Sequence, residues 1–187
     1  MSRIRELIDF IREMFLAMLR ANRSSIASQL RSKLHRTACG IDAGVIITHP
    51  ENFEAAARTF LYHGCYVLNA HGRVRLGENS HLGAYCYVNA GYGNVSIGAD
   101  VAIGPGTRIF SHSNYYASGK RVSQERITID VLIGNNVFIG ANCTILPGSV
   151  IHDNVIVGAG AVVKGDLASN AIYGGVPAKL IRPGWYA

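Results

Sequence analysis

Aliphatic residues recur at every sixth position over much of the chain, and this period is the dominant pattern of the sequence. It fits neither the 3.6-residue period of an amphipathic helix nor the seven-residue period of a coiled coil. Glycine follows most of these aliphatic residues, and a small or medium residue stands four positions after each. Twelve aliphatic positions carry the pattern: Leu76, Leu82, Val88, Ile97, Ile103, Ile109, Ile133, Ile139, Ile145, Ile151, Val157 and Val163.

A repeated hexapeptide predicts an all-β solenoid, the parallel β-helix, in which each hexad supplies one short strand and one turn. The aliphatic residue points inward, glycine permits a tight corner, and three hexads close one triangular coil. Regular coils are expected from about Val74 onward, and residues 39–72 are expected to form irregular ones. The final stretch, residues 167–187, leaves the pattern and is expected to form a C-terminal cap over the open strand edges.

The repeat is interrupted twice. Between Val88 and Ile97 the step is nine residues instead of six, which enlarges a corner at the sequence NAGYGN. Between Ile109 and Ile133 the pattern is absent, and a polar extended loop is predicted over residues 111–132. Long loops on a regular scaffold usually carry function. This one begins with His112, and histidine is the side chain best suited to proton transfer near neutral pH.

The segment before the repeat has a different character. Residues 1–36 are predicted to form an N-terminal α-helical extension, with an amphipathic helix over residues 2–21, and residues 37–187 to form the β-helix domain. We expect the extension to pack against the first coils or a neighbouring subunit. The alternative is peripheral membrane contact through this basic amphipathic helix.

The net charge of +6 and the isoelectric point near 9.3 suit an anionic partner, such as a phosphorylated cofactor, a nucleotide sugar, nucleic acid or a membrane surface. Much of the excess charge lies in residues 1–36, so it says little about the β-helix. The cysteines form no CxxC pair, and Cys86 and Cys143 fall on the small inward position of their hexads. No signal peptide is evident, so reduced cysteines and a cytoplasmic location are expected.

Three stretches make the chain resemble the hexapeptide-repeat acyltransferases: IGPGTRIFSHSNY, IGNNVFIGANCTILPGSVIHDNVIVGAGAVV and IYGGVPAKLIR. It is most similar to their sugar branch, which includes the maltose, galactoside, nodulation-sugar and polysaccharide O-acetyltransferases. The resemblance implies a left-handed β-helix, whereas the general rule for parallel crossovers favours the right hand. It also implies an acetyl-CoA-dependent O-acetyltransferase of a sugar hydroxyl, in surface polysaccharide or lipopolysaccharide biosynthesis. It further implies a homotrimer with active sites between subunits, no metal and no nucleic-acid partner.

The same resemblance assigns the residues of the reaction. His112 matches the catalytic histidine, which as a general base accepts the proton of the acceptor hydroxyl during direct transfer. Asn89 matches an asparagine that contacts the acceptor sugar, although a turn role at the enlarged corner is the alternative. Tyr115 is a candidate for stacking on a sugar ring, or for anchoring the loop.

The donor site is also assigned by position in the pattern. Gly140, Ala141, Gly158 and Ala159 are expected beside the pantetheine arm of CoA, with ordinary hexad corner chemistry as the alternative. Lys179 and Arg182 match basic positions near the CoA phosphates, or are solvated charges of the tail. Lys164 departs from the family pattern: relatives read VVTKD where this chain reads VVKGD, so the lysine comes one place early and its assignment to CoA is weakened.

Three competing functions follow from the same sequence. An N-acetyltransferase of an amino or nucleotide sugar would use the same histidine chemistry, and a non-enzymatic β-helix scaffold would need no loop histidine or basic tail. A γ-type carbonic anhydrase would need closely spaced zinc histidines. The nearest two histidines of this chain, His63 and His71, are eight residues apart, so a metal site is disfavoured.

Overall fold

The computed structural model describes residues 39–186, together with the isolated positions 10–11, 14–15, 17–18 and 30. The predicted extension over residues 1–36 lies outside the described residues except at these few positions, whose backbone is helical. The extension and its packing or membrane role therefore stay predictions. Within the part of the chain that the structure describes, no helix is long and apolar enough to cross a membrane.

The described chain is built from short strands joined by tight corners, with one 3-10 turn at Pro50–Asn52 and another at Val122–Gln124. The strands are β1 Gly40–Ile41, β2 Ile46–Ile47, β3 Phe53–Ala55, β4 Phe60–Leu61, β5 Tyr66–Leu68, β6 Val74–Leu76, β7 His81–Leu82, β8 Tyr87–Asn89, β9 Val95–Ile97, β10 Ala102–Ile103, β11 Arg108–Phe110, β12 His112–Asn114, β13 Arg126–Thr128, β14 Val131–Ile133, β15 Phe138–Ile139, β16 Thr144–Ile145, β17 Val150–Ile151, β18 Val155–Val157, β19 Val162–Val163, β20 Asp166–Leu167, β21 Ala171–Gly174 and β22 Lys179–Pro183.

The chain visits three parallel sheets in turn. Sheet A has the order β1-β4-β7-β10-β15-β18-β21-β22, sheet B the order β2-β5-β8-β11-β16-β19 and sheet C the order β3-β6-β9-β14-β17-β20. All neighbours in these sheets are parallel except β21 and β22. Each turn of the coil therefore adds one strand to each sheet, which is the arrangement that a three-sided hexapeptide repeat predicts.

The aliphatic residues of the repeat form the core. All twelve positions of the period are buried, and none is more than 4% exposed. The small position of the hexad is buried as well, at Ser80, Cys86, Thr107, Cys143, Ser149 and Ala161. Burying an aliphatic side chain of this size contributes roughly 1.5–3 kcal/mol, so the stacked aliphatic column is the main stabilising element of the coil.

The expectation of irregular coils over residues 39–72 was wrong. Strands β1 to β6 pair in register with the coils that follow, for example Ile41 with Leu61 and Leu61 with Leu82. The inward aliphatic residues are present there, but no glycine follows them, since Asp42 comes after Ile41 and Tyr62 after Leu61. The corners are closed elsewhere in the turn, by a left-handed backbone at Gly44, Gly64 and Arg58.

The polar stretch after Ile109 is a β-hairpin that leaves the coil between β11 and β14. Its strands β12 and β13 are antiparallel and pair His112 with Thr128 and Asn114 with Arg126. At the other end of the chain, β22 runs antiparallel to β21 and covers the last edge of sheet A. The indole Nε1 of Trp185 donates to the carbonyl of Asn154, 2.7 Å away, so Trp185 belongs to this cap.

Candidate active site

The hairpin grows from the corner between sheets B and C, which we call the histidine corner and define as residues 89–94 with the hairpin root at Ser111 and Asp130. This corner is enlarged in the first three coils, where five residues separate β2 from β3, β5 from β6 and β8 from β9. The nine-residue step in the sequence is therefore one instance of a wider corner. The hairpin of the fourth coil extends the same corner.

The root of the hairpin is fixed on both sides. Ser111 is fully buried, and its hydroxyl donates to the carbonyls of Gly93 at 2.9 Å and Asn89 at 3.2 Å. Opposite, the carboxylate of Asp130 accepts from the backbone N–H of Asn94 at 2.8 Å and from its side-chain amide at 2.9 Å. Because His112 directly follows Ser111, the coil and this root together determine where the imidazole lies.

The imidazole of His112 is half-buried against the histidine corner. Its Nδ1 is buried and makes no hydrogen bond within the described part of the chain. The backbone of Gly91 lies under the ring, and a Cβ at that position would be 3.0 Å from Cε1 of His112 and 3.2 Å from Oδ1 of Asn89. Nε2 is therefore the nitrogen available to a substrate, and Asn89 lies in the same corner next to Gly91.

Aromatic and basic side chains surround the histidine. The ring of Tyr92 is half-exposed and lies edge-on to His112, with centroids 5.1 Å apart and an interplanar angle of 81°. The guanidinium carbon of Arg126 lies 5.0 Å from the centroid of the same tyrosine ring, within the range of a cation–π contact. On its other side Tyr92 contacts His71, at a centroid distance of 5.3 Å.

These surroundings keep the histidine neutral. Burial lowers the pKa of His112 below its ordinary value, and the positive charge of Arg126 lowers it further. Both effects disfavour the imidazolium, the first by removing water and the second by like-charge repulsion. At neutral pH the imidazole is thus in the form that accepts a proton, as a general base requires.

The two predicted acceptor residues differ in their positions. Asn89 lies within the histidine corner, and its Oδ1 accepts from the backbone N–H of Gly91 at 3.1 Å, so it has a turn role as well as a place beside the imidazole. Tyr115 lies farther out on the hairpin, where its ring stacks on Tyr116 at 5.2 Å and its N–H donates to the carbonyl of Glu125. The contacts of Tyr115 are thus with the hairpin itself.

The four predicted pantetheine residues lie together at the corner between sheets A and B, which we call the donor corner. They stack in adjacent coils, with the N–H of Gly160 donating to the carbonyl of Ala141. At Gly140 a Cβ would stand 2.5 Å from the backbone nitrogen of Ala159, so coil stacking alone requires glycine there. At Gly158 the nearest atom to a Cβ is 3.5 Å away and Ala159 is exposed, so the upper part of this corner is open.

The three predicted basic residues lie at three different places. Lys179 pairs with Gly174 at the start of β22, next to the open end of the donor corner, where the N–H of Ala178 donates to the carbonyl of Val162. Arg182 pairs with Ile172, toward the opposite end of that strand. Lys164 follows β19 and is exposed at the corner between sheets B and C, on the same side of the coil as His112.

Within one chain the histidine corner and the donor corner lie at opposite ends of the strands of sheet B. His112 follows β11, Ala141 precedes β16, and these two strands are parallel neighbours. The length of these strands therefore separates the proposed base from the proposed donor residues. A single copy of the chain does not bring them together.

Three residues at the histidine were not predicted from the sequence: Gly91, Tyr92 and Arg126. The first two lie in the NAGYGN insertion, whose extra length was the signal that could have indicated them. Arg126 follows His112 by fourteen residues and reaches it only through the antiparallel pairing of the hairpin. A loop without recognisable strand alternation gives no indication of that register.

Part of the chain matches a known protein family. The family described as bacterial transferase hexapeptide (six repeats) matches residues 130–165, which run from the last strand of the fourth coil, β14, to just after β19 in the sixth. The matched segment contains Gly140, Ala141, Gly158 and Ala159 of the donor corner. This segment of the chain is similar to the hexapeptide-repeat transferases.

Two curated relatives show which kinds of transferase the sequence is similar to. The chain is 34% identical over 111 residues to the galactoside O-acetyltransferase of Escherichia coli, covering 57% of this chain and 55% of the relative. It is 34% identical over 127 residues to WbbJ of the same organism, a putative lipopolysaccharide biosynthesis O-acetyl transferase, covering 62% and 64%. The aligned part thus spans between half and two thirds of the length of these relatives.

Among solved structures, the chain is similar to AntD, an N-acyltransferase from Bacillus cereus in complex with dTDP and 3-hydroxybutyryl-CoA. The TM-score is 0.75 at 25% sequence identity, over 84% of this chain and 88% of AntD. The similarity therefore extends over most of the described coil.

Proposed function

We propose that this protein is an acetyl-CoA-dependent O-acetyltransferase that acts on a sugar hydroxyl, with His112 as general base. The observation that carries the proposal is the placement of His112, whose Nδ1 is buried while its pKa is lowered by burial and by Arg126. A neutral imidazole beside the amide of Asn89 suits the binding and deprotonation of a hydroxyl group. The galactoside and lipopolysaccharide O-acetyltransferase relatives support the same reaction class.

The reaction needs no covalent enzyme intermediate. The acceptor oxygen attacks the thioester carbonyl of acetyl-CoA while Nε2 of His112 takes its proton. The tetrahedral intermediate then expels the thiolate of CoA, which receives that proton from the imidazolium. Acetyl ester and free CoA leave, and His112 is neutral again. The four cysteines are not placed to serve as nucleophiles, because each is buried and at most 2% exposed, away from any substrate.

The donor is placed along the donor corner, where the open space at Gly158 and the exposed Ala159 leave room for an extended pantetheine arm. Lys179 lies at the end of that corner and is the basic residue best positioned for a CoA phosphate. Gly140 and Ala141 continue the corner below, and Arg182 and Lys164 lie away from it. AntD, whose fold is similar, carries an acyl-CoA in its structure.

The separation of the two corners supports a site shared between copies of the chain. We place the donor corner of one subunit against the histidine corner of its neighbour, in a homotrimer of left-handed coils. This arrangement supplies the missing half of the site to each His112. The proposed pathway in surface polysaccharide or lipopolysaccharide biosynthesis rests on the similarity to WbbJ alone.

The direct test is an acceptor screen with purified protein and acetyl-CoA, in which release of free thiol is recorded. We expect thiol release that depends on a hydroxylated sugar, with an acetyl ester in the product. Absence of thiol release with every acceptor, together with absence of stabilisation by CoA in a thermal-shift assay, would indicate a non-enzymatic scaffold.

N-acylation of an amino sugar is a second candidate, because AntD is an N-acyltransferase and covers most of this chain. The same screen separates the two reactions. Each sugar is offered with a hydroxyl and with an amine at the same carbon. A product that hydroxylamine cleaves is an ester and supports O-acetylation, whereas a resistant amide supports N-acylation.

A further inference from the structure

The side chain of Arg126 carries a positive charge that no carboxylate neutralises within the described part of the chain. The two carboxylates of the hairpin and its root are used elsewhere: Glu125 pairs with Lys120 at 2.7 Å, and Asp130 accepts both hydrogen bonds from Asn94. The ion pairs of the described residues do not include Arg126. Its guanidinium is exposed and keeps its hydrogen-bond donors for another partner.

The register of the hairpin brings this charge to the histidine. His112 pairs with Thr128, and Asn114 pairs with Arg126, so His112 and Arg126 are diagonal neighbours. Residues of directly paired positions, and of positions two apart, lie on one face of a two-stranded ribbon. That face lies over the histidine corner, because Cγ2 of Thr128 would be 3.1 Å from a Cβ at Gly93.

Tyr92 joins the two side chains. Its ring centroid lies 5.1 Å from that of the His112 imidazole, and the guanidinium carbon of Arg126 lies over the ring, 5.0 Å from its centroid. A cation above an aromatic ring is held in place at a smaller entropic cost than a free arginine side chain. The half-exposed tyrosine therefore positions the guanidinium beside the proposed base and offers apolar surface for a sugar ring.

We propose that Arg126, held by Tyr92, selects an acceptor sugar that carries an anionic group, a phosphate or a carboxylate, close to the hydroxyl that is acetylated. This inference rests on the proposed function and specifies its acceptor. Guanidinium pairs with carboxylate and phosphate through two parallel hydrogen bonds, which fixes the orientation of the sugar as well as its charge. The hydroxyl next to that group is then presented to Nε2 of His112.

The test compares matched acceptors that differ only in charge: each sugar is offered neutral, as its uronic acid and as its phosphate. The neutral control variant is Arg121→Gln, which removes an exposed arginine from the same hairpin at the residue before the 3-10 turn. Assays run near pH 8, where His112 is neutral with or without Arg126, so that the base itself is unchanged. Free thiol is the readout.

We expect the unchanged protein to prefer an anionic member over its neutral counterpart. Arg126→Gln should reduce kcat/KM for that acceptor by about 10- to 100-fold more than for the neutral sugar. Arg126→Lys should retain part of the preference, and Arg121→Gln all of it. Comparison of the uronic acid with the sugar phosphate identifies which of the two anions Arg126 binds.

Two results would overturn the inference: a neutral sugar preferred by the unchanged protein, or an equal loss for neutral and charged acceptors in Arg126→Gln. Failure of the proposed function is a different result, with no thiol released from any acceptor. In that case binding of sugar phosphates and uronic acids, measured by calorimetry without acetyl-CoA, still decides the matter. Binding that Arg126→Gln abolishes supports the anion site, and binding that it leaves unchanged contradicts it.

Discussion

Gly91 lies directly under the imidazole of His112, so that a Cβ at residue 91 would stand 3.0 Å from Cε1 of the ring. The same Cβ would be 3.2 Å from Oδ1 of Asn89. Both distances are shorter than ordinary van der Waals contacts. The glycine thus sets how closely the histidine and the asparagine approach each other and the corner.

Gly91→Ala should therefore reduce turnover while preserving the fold. The backbone of Gly91 does not have a positive φ, so alanine causes no backbone strain, and the added methyl group displaces the imidazole by a few tenths of an ångström. Because small displacements of a catalytic group are costly, we expect kcat to fall about tenfold or more. The melting temperature and the Kd of CoA are measured alongside. An unchanged kcat would show that the position of His112 over this corner is unimportant.

The pH dependence of kcat/KM should report a histidine with a lowered pKa. The imidazole is active when neutral, so the rate rises with pH through the pKa of His112, and burial and Arg126 place that midpoint below 6.5. Arg126→Gln removes a like charge, which raises the pKa and moves the acidic limb to higher pH. Arg121→Gln is the control and should leave the limb in place. A limb that Arg126→Gln does not move would contradict the electrostatic role of this arginine.

Gly140→Ala and Gly158→Ala form a matched pair that separates coil stacking from ligand binding. At Gly140 the new Cβ meets the backbone nitrogen of Ala159 at 2.5 Å, so overpacking should destabilise the fold by about 1–3 kcal/mol. At Gly158 the space is open, and we expect a stability change within about 0.5 kcal/mol together with weaker CoA binding. Thermal unfolding and calorimetry give the two readouts. If Gly158→Ala bound CoA with unchanged affinity, the donor would not lie along this corner.

A shared site predicts complementation between two inactive variants. His112→Ala removes the base from the histidine corner, and Gly158→Trp fills the donor corner at the other end of the strands of sheet B. Co-expressed with different tags and purified as mixed oligomers, the two variants should regain thiol release, because some interfaces join two intact corners. The control mixes His112→Ala with a chain that carries both substitutions, which leaves no intact pair. Mixed oligomers without activity would argue that one chain supplies both corners.

The sequence predicted the coil well where two signals coincide. From Leu76 onward the aliphatic residues recur mostly at six-residue steps and most are followed by glycine, and these aliphatic positions are buried as expected. Residues 39–72 keep the aliphatic residue and lack the glycine, so their three-sheet register was missed. Their corners use a left-handed backbone at other positions, such as Arg58 and Gly64, which the hexad pattern does not contain.

The candidate site was predictable in part for the same reason. Asn89 ends β8 and His112 comes two residues after β11, so both lie next to strands that the repeat defines, and the structure brings them to one corner. Arg126 and Tyr92 lie in the hairpin and in a corner insertion, where no period relates sequence to position. Lys164 was assigned to CoA from the family pattern alone, and it lies between β19 and β20 at the corner between sheets B and C, away from the donor corner.

The most direct test of the central claim is the rate of thiol release from acetyl-CoA by His112→Ala, with the best acceptor from the screen. If His112 is the general base, turnover should fall by about 10²- to 10⁴-fold while the Kd of CoA stays nearly unchanged, because the proposed contacts of CoA are with Gly158, Ala159 and Lys179 and the imidazole acts on the acceptor hydroxyl. Turnover within about threefold of the unchanged protein would contradict the assignment of His112 as the base, since loss of a base costs far more than that.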